Sequence, residues 1–277
     1  MKSAICWTIA ILITLAAIFY QKVTGPTYAK KTGININGAS YRFNLPRSHG
    51  GDNPCIIDLQ VSDTAVTARL EYRKFPTNDA WEQKVLDRQG NDLITSLPHQ
   101  PPAGKLEYRI TLEKNNRKYM LNEGNSVIIR FKGDVPVAVL IPHIFFMFFA
   151  MLLSNLAGIM VLFNHKKYIF YGKLTLAVLF LGGLILGPWV QWYAFGEAWT
   201  GVPFAWDLTD NKTLVAFIFW GLAVIMNRKH KRPAYIVAAS LIMLIVYSIP
   251  HSMFGSELNP ETGKIIQGWI TFCFRFI

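Results

Sequence analysis

Residues 135–163 read VPVAVLIPHIFFMFFAMLLSNLAGIMVLF, a run without one charged side chain. An α-helix rises about 1.5 Å per residue, so about 20 residues cross a hydrocarbon core of about 30 Å. The run exceeds that length, and a soluble core has no room for it. Outward from it lie four more uncharged apolar runs, at 3–20, 174–196, 213–227 and 234–250. The runs at 3–20, 135–163 and 174–196 are long enough to span, whereas 213–227 and 234–250 are at the lower limit. Backbone groups in lipid must be satisfied internally, so each is expected to be a helix. The chain is 52% hydrophobic and 16% charged over 277 residues, which excludes a disordered protein.

Basic residues in the short connections set the expected orientation. Lys2 precedes the first run. Lys166, Lys167 and Lys173 lie between the second and third, and Arg228, Lys229, Lys231 and Arg232 between the fourth and fifth, with no acidic residue among them. The alternate side carries Glu197, Asp207, Asp210 and Lys212 in one loop, and Glu257, Glu261, Lys264 and Arg275 in the tail. The N-terminus is therefore expected inside and the C-terminus outside. The net charge of +11 then reflects cytoplasmic anchoring plus a mildly basic outer region, and nucleic acid is not an expected partner. The first run begins after Lys2 as a signal peptide would, but residues before Gln21 lack a small-x-small cleavage pattern, so a retained anchor is expected.

Between the first two runs the pattern changes to period two. Val66, Ala68, Leu70 and Tyr72 alternate with Thr67, Arg69, Glu71 and Arg73. Leu106, Tyr108, Ile110 and Leu112 alternate with Glu107, Arg109 and Thr111, and Val127, Ile129 and Phe131 flank Ile128 and Arg130. Ile57, Leu59 and Val61 make a further strand. Alternation with one apolar face is what a half-buried antiparallel strand requires. Turn signals at Gly50-Gly51-Asp52, Gly90-Asn91, Pro101-Pro102-Ala103-Gly104 and Asn115-Asn116 separate the segments. About seven short strands in this length predict a two-sheet sandwich.

The stretch LPHQPPAGKLEYRI at 97–110 resembles the corner before strand F of immunoglobulin-like and fibronectin type III domains. The resemblance covers residues about 34–132. It implies that Tyr108 closes the corner by bonding back to backbone, and it implies a fold without an activity. The Cys–Trp–Cys pattern of antibody domains is absent, since Cys55 is the only cysteine in the region. Cys6 lies in the first run, and whether Cys55 pairs with Cys273 stays open. A single cysteine in an exported domain fits a bacterial periplasm better than a eukaryotic cell surface.

The expected architecture is thus a multi-pass α-helical membrane protein with five transmembrane helices and an all-β immunoglobulin-like sandwich inserted between helices 1 and 2. Its parts are an N-terminal anchor (1–22), an extracytoplasmic β-sandwich (23–134), a four-helix transmembrane domain (135–251) and an outer-face tail (252–277) carrying an interfacial helix from residue 265.

Candidate chemistry gathers at the outer face. Ile141-Pro142-His143 is expected to open the second span with Pro142 in its first turn, and Ile249-Pro250-His251 closes the fifth. His143 and His251 at similar depth could share a haem iron or a copper ion, although interfacial imidazoles bonded to backbone or headgroups are the plainer explanation, and no cofactor is expected. The loop at 191–212 carries Glu197, Trp199, Trp206, Asp207 and Asp210 among its aromatic residues. Tryptophans favour a membrane interface. Asp207 and Asp210 are either helix-capping residues or carboxylates held for function. Ser154, Asn155 and Ala157-Gly158 are expected to permit close helix packing.

No phosphate-binding glycine loop, zinc-protease helix, nucleophile elbow or CxxCH pair occurs. The function expected is an accessory or assembly subunit of a cell-envelope complex in the bacterial inner membrane, with lipid around it and a protein partner held by the β domain and the aromatic loop. Two rivals stand beside it. One is a redox or metal protein using His143 and His251, and the other is an outer-face enzyme or lipid handler using Glu197, Asp207 and Asp210.

Overall fold

The computed structural model describes residues 2–250, 256–259, 262–263 and 265–267. The chain forms two compact units. One comprises Met1–Gly25, Val135–Ser256 and the segment from Gln267, and the other Pro26–Asp134 and Glu257–Ile266.

The first unit is helical: α1 (Lys2–Thr24), α2 (Val137–Leu162), α3 (Tyr168–Phe195), α4 (Leu208–Met226) and α5 (Pro233–Ser248). The first four are long and apolar enough to cross a membrane, while α5 has 16 residues. Helix α2 packs on α1, α3 and α5. Small residues set the approach. A Cβ at Gly158 would stand 2.6 Å from Ser240 Oγ of α5, one at Gly172 3.1 Å from the buried Trp220, and one at Gly183 2.6 Å from Thr213 Cγ2. Asn155 donates to Thr14 Oγ1 at 3.0 Å, joining α2 to α1 by a buried bond, and Gln21 of α1 donates to the Tyr247 carbonyl of α5.

Two helix boundaries and one stretch of helical winding depart from the sequence pattern. Helix α2 starts at Val137 with Pro136 as its N-cap, so Pro142 lies inside the helix rather than in its first turn; lacking an N–H, it leaves the Ala138 carbonyl without the usual donor. Helix α3 begins at Tyr168, ahead of residue 174, because Lys173 sits on an exposed face and one lysine there does not interrupt a helix. Within α3, Phe180–Leu186 winds as π-helix. Gly187 N–H donates five residues back to Gly182, immediately before Pro188, which has no donor to continue an ordinary ladder.

The second unit is built from strands. β1 (Lys30–Ile36) and β2 (Ala39–Leu45) form a hairpin through Asn37 and Gly38, at φ 50° and 91°. Two positive φ values in a two-residue turn match the right-handed twist of the strands, which is why Asn-Gly stands there. A six-stranded sheet runs β3 (Ser48–Gly50), β11 (Val127–Lys132), β9 (Lys105–Lys114), β5 (Thr67–Lys74) and β6 (Glu82–Val85), with β10 (Arg117–Met120) also paired to β9. β3 is parallel to β11 and the other pairings are antiparallel. A three-stranded sheet runs β4 (Cys55–Gln60), β8 (Asp92–Leu97) and β7 (Asp87–Gln89). Both sheets and the hairpin send alternate side chains into one core that includes Phe43, Ile57, Leu59, Leu70, Tyr108 and Phe131.

The outer face of the β5–β9 pair is a charge ladder. Glu71 faces Arg109 at 2.5 Å and Arg73 faces Glu107 at 2.6 Å, while Trp81 lies under both guanidinium groups at 4.7 and 4.4 Å. Beyond α5 the chain returns to this unit. β12 (Ser256–Leu258) and β13 (Ile265–Gln267) form a separate two-stranded sheet, so residues 265–267 are strand where a helix was expected; the remainder of that expected helix lies outside the described residues.

Candidate functional site

The connection between α3 and α4 is pinned at both ends. Helix α3 stops at Gly196, whose φ of 82° gives a left-handed C-cap with N–H donated to the Trp192 carbonyl. Helix α4 starts at Asp207, whose carboxylate accepts from the N–H groups of Thr209 and Asp210 as an N-cap. One turn in, the buried Asp210 reaches back across the loop. Its Oδ2 accepts from Thr200 N–H at 2.6 Å and from Thr200 Oγ1 at 3.2 Å. Gln191 of α3 donates to the same Thr200 hydroxyl at 2.6 Å, and Asn211 Oδ1 accepts from Val202 N–H at 2.8 Å. Gly201 fits beneath this lock because a Cβ there would stand 2.7 Å from Asp210 Cβ.

Lys212 adds the third helix. Its ammonium is buried and donates to the Ile249 carbonyl at 2.8 Å and more weakly to that of Pro250. These carbonyls end α5, where a helix leaves acceptors without partners and where a cation is favourable. The ends of α3, α4 and α5 are therefore tied together by Gln191, Thr200, Asp210 and Lys212. The sequence pattern marked Asp207 and Asp210 but not Thr200, Gln191 or Asn211. Their pairing spans about ten positions across an irregular loop, and no periodicity carries it.

What the lock presents is apolar. Phe204 is 81% and Trp206 73% exposed, the two most exposed large hydrophobic side chains among the described residues. Val202 stands exposed beside them. Trp199 instead turns inward on the loop, its Nε1 donating to the Val202 carbonyl at 3.1 Å. Glu197 is exposed just past the Gly196 cap, and so stands apart in environment from the buried Asp207 and Asp210.

His143 is half-buried on α2, and its Nδ1 lies 2.9 Å from the Gly182 carbonyl in the π-helical turn of α3. The ring thus holds two helices together. His251 lies outside the described residues, as do Cys273 and any pairing of it. Among the described residues no group of three or more His, Cys, Asp or Glu side chains is placed to hold a metal ion, and Cys6 and Cys55 are free thiols. Tyr108 does bond to backbone, its hydroxyl donating to the Pro46 carbonyl at 2.8 Å. That acceptor lies between β2 and β3. No family model, no curated protein and no solved structure matches this chain.

Proposed function

We propose that this chain is an accessory or assembly subunit of a membrane complex in a bacterial cell envelope, and that the loop between α3 and α4 is a docking surface for a protein partner. The observation that carries this reading is the exposure of Phe204 and Trp206 on a loop whose ends are held by buried hydrogen bonds. A pinned loop loses little conformational entropy on association, and exposed aromatics in a fixed place are the usual anchors of an interface. Two of the three carboxylates that an enzyme would use here are engaged in holding the loop, Asp207 as cap and Asp210 on Thr200, and the third, Glu197, stands exposed apart from them.

In this reading the β domain is an immunoglobulin-like sandwich in the periplasm. The strand division supports it: β11-β9-β5 with the edge strand β6 on one side, and β4-β8-β7 on the other, correspond to the G-F-C and B-E-D groupings of that fold. Five crossings are supported by the tail. Glu257 belongs to the same unit as the β strands, and between Asp134 and Glu257 the chain passes through α2, α3, α4 and α5. A polypeptide regains the side it left only after an even number of crossings, so α5 crosses too if α2, α3 and α4 do. Its 16 residues reach about 24 Å, short of about 30 Å but within what local bilayer thinning accommodates.

Site-specific photocrosslinking in living cells tests the docking surface. A benzophenone side chain at 204 or 206 is expected to yield an adduct with one discrete protein, and the same group at 145, on the apolar flank of α2, only lipid. Phe204→Ser with Trp206→Ser is expected to abolish co-purification of that protein while leaving the thermal melting temperature unchanged. Lipid adducts alone at 204 and 206 would remove the basis for a docking role.

A further inference from the structure

A second recognition site lies on the β domain, where the chain's own tail is seated. Lys105 opens β9, and its ammonium pairs with Glu257 of β12, the two side chains being 16% and 12% exposed. The next residue, Leu258, donates its N–H to the Ala103 carbonyl at 3.1 Å. Ala103 has φ 65°, and its N–H and the Gly104 carbonyl both engage Phe131, while its own carbonyl is left for the tail. Gly104 is required by the Pro101 carbonyl, which would stand 2.8 Å from a Cβ there, and Leu258 Cδ2 lies over the same position at 3.6 Å, an ordinary packing distance. Acid and backbone donor are thus each met by a partner, with the aliphatic side chain packed beside them.

The tail does not fill the place. A cavity of about 240 Å³ remains, lined by Lys74, Phe75, Gln100, Pro101, Lys105 and Asn259 among others. Lys74 is exposed at its rim and has no carboxylate partner among the described residues. β12 pairs with β13 and joins neither larger sheet, and its hold on the β domain includes the Lys105–Glu257 ion pair and the Leu258–Ala103 backbone bond. Another segment of like chemistry could match it and reach Lys74 as well.

We infer that the edge at residues 103–105, with Lys74 and Phe75, is a receptor site for an extended acidic segment of a partner protein, and that Glu257 and Leu258 occupy it in cis. The tail is then an internal competitor that a partner strand displaces. Burial holds the Lys105 amine below its ordinary value despite Glu257, so its ammonium is costly to bury and a carboxylate opposite it offsets part of that cost. This site shares no residue with the α3–α4 loop, and either can fail without the other.

The test uses the full-length chain in detergent and a fluorescein-labelled peptide FGSELNPETG, the sequence of residues 254–263, read by fluorescence anisotropy. Opening the site by Glu257→Gln with Leu258→Ser is expected to strengthen peptide binding at least tenfold over the unaltered chain. In the opened chain Lys105→Met is expected to abolish binding and Lys105→Arg to preserve it, and a peptide with Gln in place of its first Glu is expected to bind at least tenfold more weakly. Equal binding by the opened and unaltered chains, or by the two peptides, would overturn the inference. Should the double substitution unfold the protein, Glu257→Gln alone is judged by the same ordering, and the altered peptide needs no change in the protein.

Discussion

Tyr72 shows how one side chain ties the β domain to pH. Its ring points into the core from β5, and its hydroxyl donates to Glu82 of the edge strand β6 at 2.6 Å. Burial and the adjacent carboxylate push its phenol from 10 up to about 12. The folded state therefore keeps a proton that the unfolded chain gives up, so the contribution is fully present below about pH 10 and is lost as pH rises through about 12. The denaturant midpoint of the intact protein is expected to fall over that window, and Tyr72→Phe to flatten the fall. Equal alkaline slopes for the two proteins would contradict the assignment. Cys55, whose thiol burial pushes up to about 11, is expected to resist alkylation at pH 8 until the domain unfolds. That Tyr72 faces inward was legible from period two. That its hydroxyl meets Glu82 was not, because the partner strand enters through an irregular turn.

At the scale of elements, close approach of helices carries more than hydrophobicity does. In lipid an apolar face gains little from meeting another apolar face, so association depends on small residues and a few buried hydrogen bonds. Gly158 against Ser240 is the tightest seam between α2 and α5. Gly158→Ala is expected to lower stability in detergent by about 1–3 kcal/mol, the range for overpacking. Combining it with Ser240→Gly is expected to recover part of that loss, a coupling that a double-mutant cycle measures. Strict additivity would mean that the seam is looser than the Cβ geometry requires. The small residues at 157–158 were visible in the sequence as a site of close packing. Which helix each one meets, and that 180–186 winds as π-helix around the His143 contact, depends on the neighbours and not on the run itself.

Across the whole molecule the question is how many times the chain crosses. Cysteine introduced at His230, between α4 and α5, and at Thr262 in the tail can be labelled with a membrane-impermeant maleimide in cells with an opened outer envelope. With the orientation proposed above, the tail site is expected to label at once and the 230 site only after the membrane that holds the protein is permeabilised; labelling of both together would mean that α5 does not cross. Up to residue 250 the sequence by itself determined which long stretches are apolar helices and which alternate as strands, because hydrophobic periodicity is a local property; in the short tail it misread 265–267 as helix. It also marked the loop at 191–212 as unusual through its aromatic and acidic residues, and left Asp207 as either a cap or a carboxylate held for function. Only the tertiary structure decided where Asp210, Lys212, Tyr108 and Glu257 spend their polar groups. Their partners are Thr200, the carbonyl of Ile249, the carbonyl of Pro46 and Lys105, and all lie beyond their own elements. A hydrogen bond between distant segments is fixed by how the elements pack, and packing is a property of the assembled chain that no single window of residues contains.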